Sequence, residues 1–281
     1  QDTTVKDFGF WYAKAAYYNQ QFDTAYHYLK TTSLTYGKEA MELRKNIDNA
    51  MLLKKDKKDY IVQNAGNEVN SPFDEVAPLL NKDLKKMIFT RLITPQNLDN
   101  SNTINKTELY YTQLQLDNTW QKTMPLPYPT VPSTAIAWTD DDTKLYISQQ
   151  GTLVFAELLG TEIAPANALK GYINSKDALQ TACTFYDYGQ KVIFASNFNT
   201  TNGDYDLFES TLRRDGTWSA PTPLTVLNSL TDENTPFITD DGKTLYFSSK
   251  GHQNIGGYDV FKSVYDENSK TWSKPENMGL P

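Results

Sequence analysis

Residues 240–263 read DDGKTLYFSSKGHQNIGGYDVFKS, and residues 187–210 read DYGQKVIFASNFNTTNGDYDLFES. Laid over one another, Gly189 meets Gly242, Phe194 meets Phe247 and Ser196 meets Ser249. Tyr205-Asp206-Leu207-Phe208 meets Tyr258-Asp259-Val260-Phe261, and further on Trp218-Ser219-Ala220-Pro221 answers Trp272-Ser273-Lys274-Pro275. Gly189 and Gly242 lie 53 residues apart, which sets the period of a duplicated module. The quoted stretch is therefore a structural unit used more than once. Asp241-Gly242 is a hairpin turn, Gly256-Gly257 is a sharp entry to the next strand, and Ser248 and Ser249 are strand residues.

Two weaker copies lie upstream. One centres on Leu145-Tyr146-Ile147-Ser148 and the other on Met87-Ile88-Phe89-Thr90, with Trp120 standing where Trp218 and Trp272 stand. An Asn-Ser pair precedes three copies: Asn70-Ser71, Asn174-Ser175 and Asn228-Ser229. Each copy reads as four short strands, in the last one TPFIT, TLYFSS, YDVFKSVY and TWSKP. One such sheet cannot bury both its faces, so the repeats predict propeller blades at about 70–126, 127–172, 173–227 and 228–281.

The first 58 residues differ. They contain no Pro, and apolar residues recur at helical spacing. Phe8, Trp11, Ala15 and Tyr18 form one stripe, Phe22, Ala25, Tyr26 and Leu29 a second, and Leu43, Ile47, Ala50 and Met51 a third. The expected fold class is thus α + all-β and multidomain, with helices over 1–58 and a β-propeller over 59–281.

Composition bounds the function. With 27 Lys and Arg against 34 Asp and Glu, the net charge is −7, which disfavours nucleic acid and anionic lipid as partners. The single cysteine, Cys183, lies in an apolar stretch and is expected to be a core residue. No Cys/His spacing matches a zinc site, no cofactor motif occurs, and no apolar run is long enough to cross a membrane. The chain opens on QDTTVKD without Met, which reads as removal of a signal peptide or a trimmed start.

The catalytic alternatives are weak. Ser249 and His252 could be drawn as nucleophile and base, but the sister copy has Ser196 and Asn199, and there is no G-x-S-x-G elbow. The Gly-Gly loop lacks the Lys-Ser/Thr ending of a phosphate loop. Asp140, Asp141 and Asp142 could ligate calcium but sit where a solvated turn is required. His27 has no visible partner on its helix. The chain is expected not to be an enzyme, and to hold no cofactor or metal.

Two resemblances add to this reading. AYYNQQFDTAYHYLKTTSL, residues 16–34, resembles a tetratricopeptide (TPR) repeat, which implies a helical hairpin with a peptide-holding face. Trp11, Tyr17, Tyr18 and Tyr28 are its candidate partner-binding residues. Residues 228–281 closely resemble the WD40-like (PD40) propeller repeats of Bacteroidetes cell-envelope proteins, with every element of PFI-x-x-DGKTLYFSS-x-GH-x-x-x-GGYD-[IV]-F and WS-x-P-x-N-x-G present. That resemblance implies a periplasmic, outer-membrane-associated scaffold that docks outer-membrane barrels or lipoproteins of a secretion or assembly machine, as in type IX secretion. Peptidoglycan enters only through an OmpA-like domain, which is not in these residues. The loops 197–204 and 250–257 are the expected contacts, with Asn199, Asn202, His252 and Asn254 as candidates. The alternatives from other classes are a carbohydrate-binding or glycoside-cleaving propeller, and a TolB-like module that binds a peptidoglycan-associated lipoprotein. Asn64-Ala65-Gly66 aligns with Asn277-Met278-Gly279, which gives four sets of inner strands but five outer-strand segments. This predicts that the native chain continues into a further blade.

Overall fold

The computed structural model describes residues 4–31, 37–54, 63–93, 106–128, 133–139, 142–200 and 204–279. Four antiparallel sheets follow one another along the chain. Blade 1 runs β1 (Asp74–Leu80), β2 (Lys86–Ile93), β3 (Lys106–Gln113), β4 (Met124–Leu126). Blade 2 runs β5 (Ser133–Trp138), β6 (Lys144–Gln149), β7 (Thr152–Leu159), β8 (Glu162–Ile163), with β9 (Asn167–Ala168) also on β7. Blade 3 runs β10 (Gln180–Tyr186), β11 (Lys191–Ser196), β12 (Asp206–Thr211), β13 (Thr222–Pro223). Blade 4 runs β14 (Glu233–Ile238), β15 (Thr244–Ser249), β16 (Asp259–Asp266), β17 (Thr271–Trp272), with β18 (Glu276–Asn277) also on β16.

The same local devices recur in each blade. The first strand slips register between Val76 and Leu79, Ala135 and Ala137, Gln180 and Ala182, and Asn234 and Phe237. An extra residue there bends and twists each first strand in the same way. The turn into the outer strand is set by an aspartate. Thr119 N and Oγ1 donate to Asp117 Oδ1 at 3.0 and 2.6 Å, and Thr217 N and Oγ1 to Asp215 Oδ1 at 2.9 and 2.7 Å. The residue between must take a positive φ, met by Asn118 at 64° and Gly216 at 77°. Trp120 or Trp218 follows; Trp218 packs against Leu153 and Leu169 of blade 2, and Trp120 against Met87 and Phe89 of its own blade.

Hydrophobic clusters join the blades in series. Ile88, Leu109 and Leu126 of blade 1 pack on Leu145, Ile147 and Val154 of blade 2. Leu153 and Leu169 of blade 2 meet Cys183, Phe194 and Phe208 of blade 3. Ile193, Ala195 and Leu207 of blade 3 meet Ile238, Leu245, Phe247 and Phe261 of blade 4. Among the described residues no cluster joins blade 4 to blade 1; Lys82 Nζ and Asp240 Oδ2, 3.7 Å apart, form an exposed contact between them.

Side-chain amides stitch two of these seams. Asn174 accepts from Leu153 N and donates to Leu153 O, both at 2.8 Å. Asn228 does the same to Leu207 N and O at 2.8 and 3.1 Å. One carboxamide thus satisfies a backbone donor of the third strand of the preceding blade and shares the carbonyl of that residue with a backbone N–H, Leu169 N at 3.0 Å and Leu224 N at 2.9 Å.

The expected α + all-β class is corrected. The described chain is mostly β, with three short helices: α1 (Thr4–Tyr18), α2 (Phe22–Thr31) and α3 (Gly37–Leu53). They do not amount to a TPR-like hairpin. Helix α2 has ten residues, too few to present a full repeat face, and α3 joins α1 and α2 on one small core of Phe10, Ala13, Ala16, Ala25, Leu29, Leu43 and Ile47. Ala13, Ala16 and Ala25 are the close-approach positions that let the backbones meet. No helix among the described residues is long and apolar enough to cross a membrane. The expected domain boundary near residue 58 falls at 55–62, outside the described residues.

Candidate functional site

The helices and blade 4 meet around the connection between β15 and β16. Asn254 organises that connection. Its side chain is 3% exposed, and Nδ2 faces the carbonyls of Lys250, Gly256 and Gly257 at 2.6, 3.0 and 3.2 Å. The Asn254 carbonyl in turn accepts from Asn49 Nδ2 of α3 at 2.6 Å, across 205 residues of sequence. Asp259 Oδ2 accepts from Ile255 N at 2.9 Å and Asn277 Nδ2 at 2.8 Å, so the loop end is fixed to the outer strand as well. Gly256 has φ 153°, and a Cβ there would lie 3.4 Å from the Tyr17 hydroxyl. A glycine is required for this backbone to reach the helix.

These contacts leave a cleft of about 570 Å³ between the two parts. Phe10, Tyr17 and Phe22 form its aromatic side, Glu39, Glu42 and Asn46 come from α3, and Gly256, Gly257 and Asp259 come from blade 4. The Tyr17 hydroxyl is pushed up to about 12, by burial first and then by the Asp259 and Tyr18 charges. It is a neutral donor at any physiological pH. Lys14, also at the rim, holds its ammonium 5.2 Å from the Trp11 ring.

The structure thus brings Tyr17 and Tyr18 to the cleft beside the 250–257 loop. Trp11 lies exposed on α1, and Tyr28 packs against Tyr12 with ring centroids 4.3 Å apart. Asn199 is exposed on the connection between β11 and β12, with φ 55°, and Asn202 lies outside the described residues. His252 faces inward: its Nε2 is 2.8 Å from the Leu227 carbonyl and its ring packs on Phe261. Sequence reasoning missed Glu39, Glu42 and Asp259. The first two are three apart beside the Leu43 stripe, so they share a helix face, but nothing in the pattern says that a propeller loop faces them.

Next to the cleft lies a buried carboxylate. Glu233 accepts from Ser229 N, Ser229 Oγ and Ser249 Oγ at 2.7, 2.7 and 2.6 Å, with His252 Nε2 at 3.9 Å. Burial raises its pKa against the pull of these bonds. The Glu233 charge and burial together raise Asp206 to about 6, burial being the larger cause. Ser249 and His252 are both committed to this packing. Asp142 is bound by Asn81 at 2.7 Å and Lys86 at 3.0 Å and ties blade 2 to blade 1, while Asp140 and Asp141 lie outside the described residues. Among the described residues no group of three or more His, Cys, Asp or Glu could hold a metal. Cys183 is buried and its thiol is pushed up by desolvation, far from a reactive thiolate.

No family model matches the chain, and no curated protein matches it. Similar solved structures exist at low identity. An oligogalacturonate lyase from Vibrio parahaemolyticus is 12% identical with a TM-score of 0.45, over 73% of this chain and 55% of the lyase. The chain therefore spans about half the length of that enzyme. A putative TolB from Agrobacterium tumefaciens is 13% identical with a TM-score of 0.42, over 72% of this chain and 80% of that one. A levansucrase from B. megaterium is 14% identical with a TM-score of 0.48, over 83% and 80%. The likeness concerns the arrangement of sheets alone. Most of these similar structures are enzymes, which overturns the expectation that the chain is not an enzyme.

Proposed function

We propose that this chain is a docking platform of the bacterial cell envelope, on the periplasmic side of the outer membrane. Its helices and last blade hold protein partners of an outer-membrane machine, of the secretion or assembly kind. The observation that carries the reading is the cleft. Two segments some 200 residues apart are joined by Asn49 and Asn254 to leave an open, aromatic-lined space at the edge of the helical core. Tyrosines on a rigid frame with a polar rim are the composition that recurs at protein interfaces. The envelope setting is supported by the resemblance of residues 228–281 to envelope propeller repeats.

The test is affinity purification of the tagged protein from envelopes solubilised in mild detergent, beside a Tyr17→Ala/Tyr18→Ala variant. Expected is stoichiometric recovery of an outer-membrane barrel or lipoprotein with the wild type and its loss with the variant. Recovery of the protein alone, or of the same partner with both, would overturn the reading.

A further inference from the structure

The cleft's charge says what kind of partner surface it fits. Glu39 and Glu42 stand on α3, and Asp259 faces them from β16. Two other acids on these helices are paired: Asp48 with Arg44 at 3.1 Å and Asp23 with Lys54 at 3.1 Å. Glu39 and Glu42 have no ion pair among the described residues. Asp259 uses Oδ2 for Ile255 and Asn277, and its Oδ1 has no hydrogen bond among the described residues. Lys14, the one cation at the rim among the described residues, lies over Trp11 and Phe10.

Resting on the docking reading, we infer that the cleft takes a basic segment of the partner, with an Arg or Lys side chain entering between Tyr17 and the carboxylates. Carboxylates on two sides and an aromatic wall suit a cation that is partly desolvated, since the ring face and the acids act in the same direction. The protein packs its own cations this way: the Arg44 guanidinium lies 4.0 Å from the Tyr26 ring centre and the Lys250 ammonium 4.6 Å from that of Tyr258. An anionic partner segment would meet three carboxylates and one lysine. A volume of about 570 Å³ admits an extended long side chain and the backbone on either side of it.

The test uses the whole chain, isotope-labelled, titrated with the peptide acetyl-Gly-Ser-Arg-Ser-Gly-amide and with its Gln counterpart. Expected are saturable shifts of the Gly256 and Gly257 amides with the Arg peptide and none with the Gln peptide. The affinity should weaken on the order of tenfold in Glu39→Gln/Glu42→Gln and fall with added salt. Both positions are exposed, and an unchanged remainder of the spectrum confirms the fold of that variant. Equal shifts from both peptides, or none from either, would overturn the inference. If partner recovery still depends on Tyr17 and Tyr18 in that case, docking stands and its basic chemistry falls.

Discussion

Leu207 in blade 3 and Val260 in blade 4 occupy the same place, each on the third strand of its blade opposite the second strand. Leu207 is 0% exposed and Val260 is 52% exposed. Their neighbours follow suit. Ile193 is fully buried, and its counterpart Tyr246 is only half-buried; Thr184 is buried, and its counterpart Phe237 is 61% exposed. The two sheets share the order of their first four strands and the bulge in the first. The difference lies in what stands next. Blade 4 covers the outer face of blade 3, and Asn228 ties the backbone of Leu207, while no described residue gives Val260 such a carboxamide. Apolar residues on a blade therefore do not form a core by themselves; the neighbouring blade makes them one.

The comparison can be broken most decisively at Leu207. Leu207→Ala should cost about 2–5 kcal/mol in denaturant unfolding, the range for a fully buried leucine. An effect as small as that of Val260→Ala would show that the seam is not packed as described. Asn228→Ala should come next, at about 1–3 kcal/mol, because it leaves the Leu207 N–H unsatisfied in the seam. Asn174→Ala should behave alike at the earlier seam, and a neutral result at both would remove the clamp from the account.

A smaller effect is expected from acid titration at the same seam. Asp206 is raised to about 6 in the fold, by burial and then by Glu233 and Asp204. The folded state therefore binds more protons than the unfolded one between roughly pH 4 and 6. Its contribution to stability is favourable below that window and is lost as pH rises through it. Asp206→Asn should raise the Tm at pH 7.5 and leave it nearly unchanged near pH 4. A Tm difference that is the same at both pH values would deny the shifted titration. Blade 1 gives the contrast, since the pKa of Glu75, at the place of Glu233, is lowered against its burial by the Ser71 hydroxyl and by Arg91 at 2.7 Å. Smallest of all should be Val260→Ala, within about 0.5 kcal/mol of wild type as for exposed positions, measured by the same unfolding curves.

Much of the propeller was legible in the sequence because its devices are local. Glycine hairpin turns, the Thr-Trp corner and the alternation in TLYFSS each act within a few residues, and the last two copies repeat them with a period near 53 residues. The helices were misjudged for a physical reason. Small residues such as Ala16 and Ala25 mark any close crossing of two helices, whether or not the pair is a TPR repeat. That Val260 is exposed could not be read from its own repeat, since Leu207 and Val260 stand in the same pattern. The cleft was half legible. Tyr17 and Tyr18 were singled out as aromatic, and the 250–257 loop as polar and glycine-rich, but their meeting depends on Asn49 reaching Asn254. Asn254 itself shows the limit of composition. A loop asparagine reads as a contact residue, yet its carboxamide is spent on three carbonyls of its own loop.

The most direct test of docking at the cleft is site-specific photo-cross-linking in intact cells. A photoreactive amino acid is placed at Tyr18 in the cleft and, separately, at Tyr188, which is exposed on the turn between β10 and β11 of blade 3. The expected result is one discrete adduct with an envelope protein from Tyr18 and none from Tyr188. No adduct from Tyr18, or the same adducts from both positions, would contradict the account.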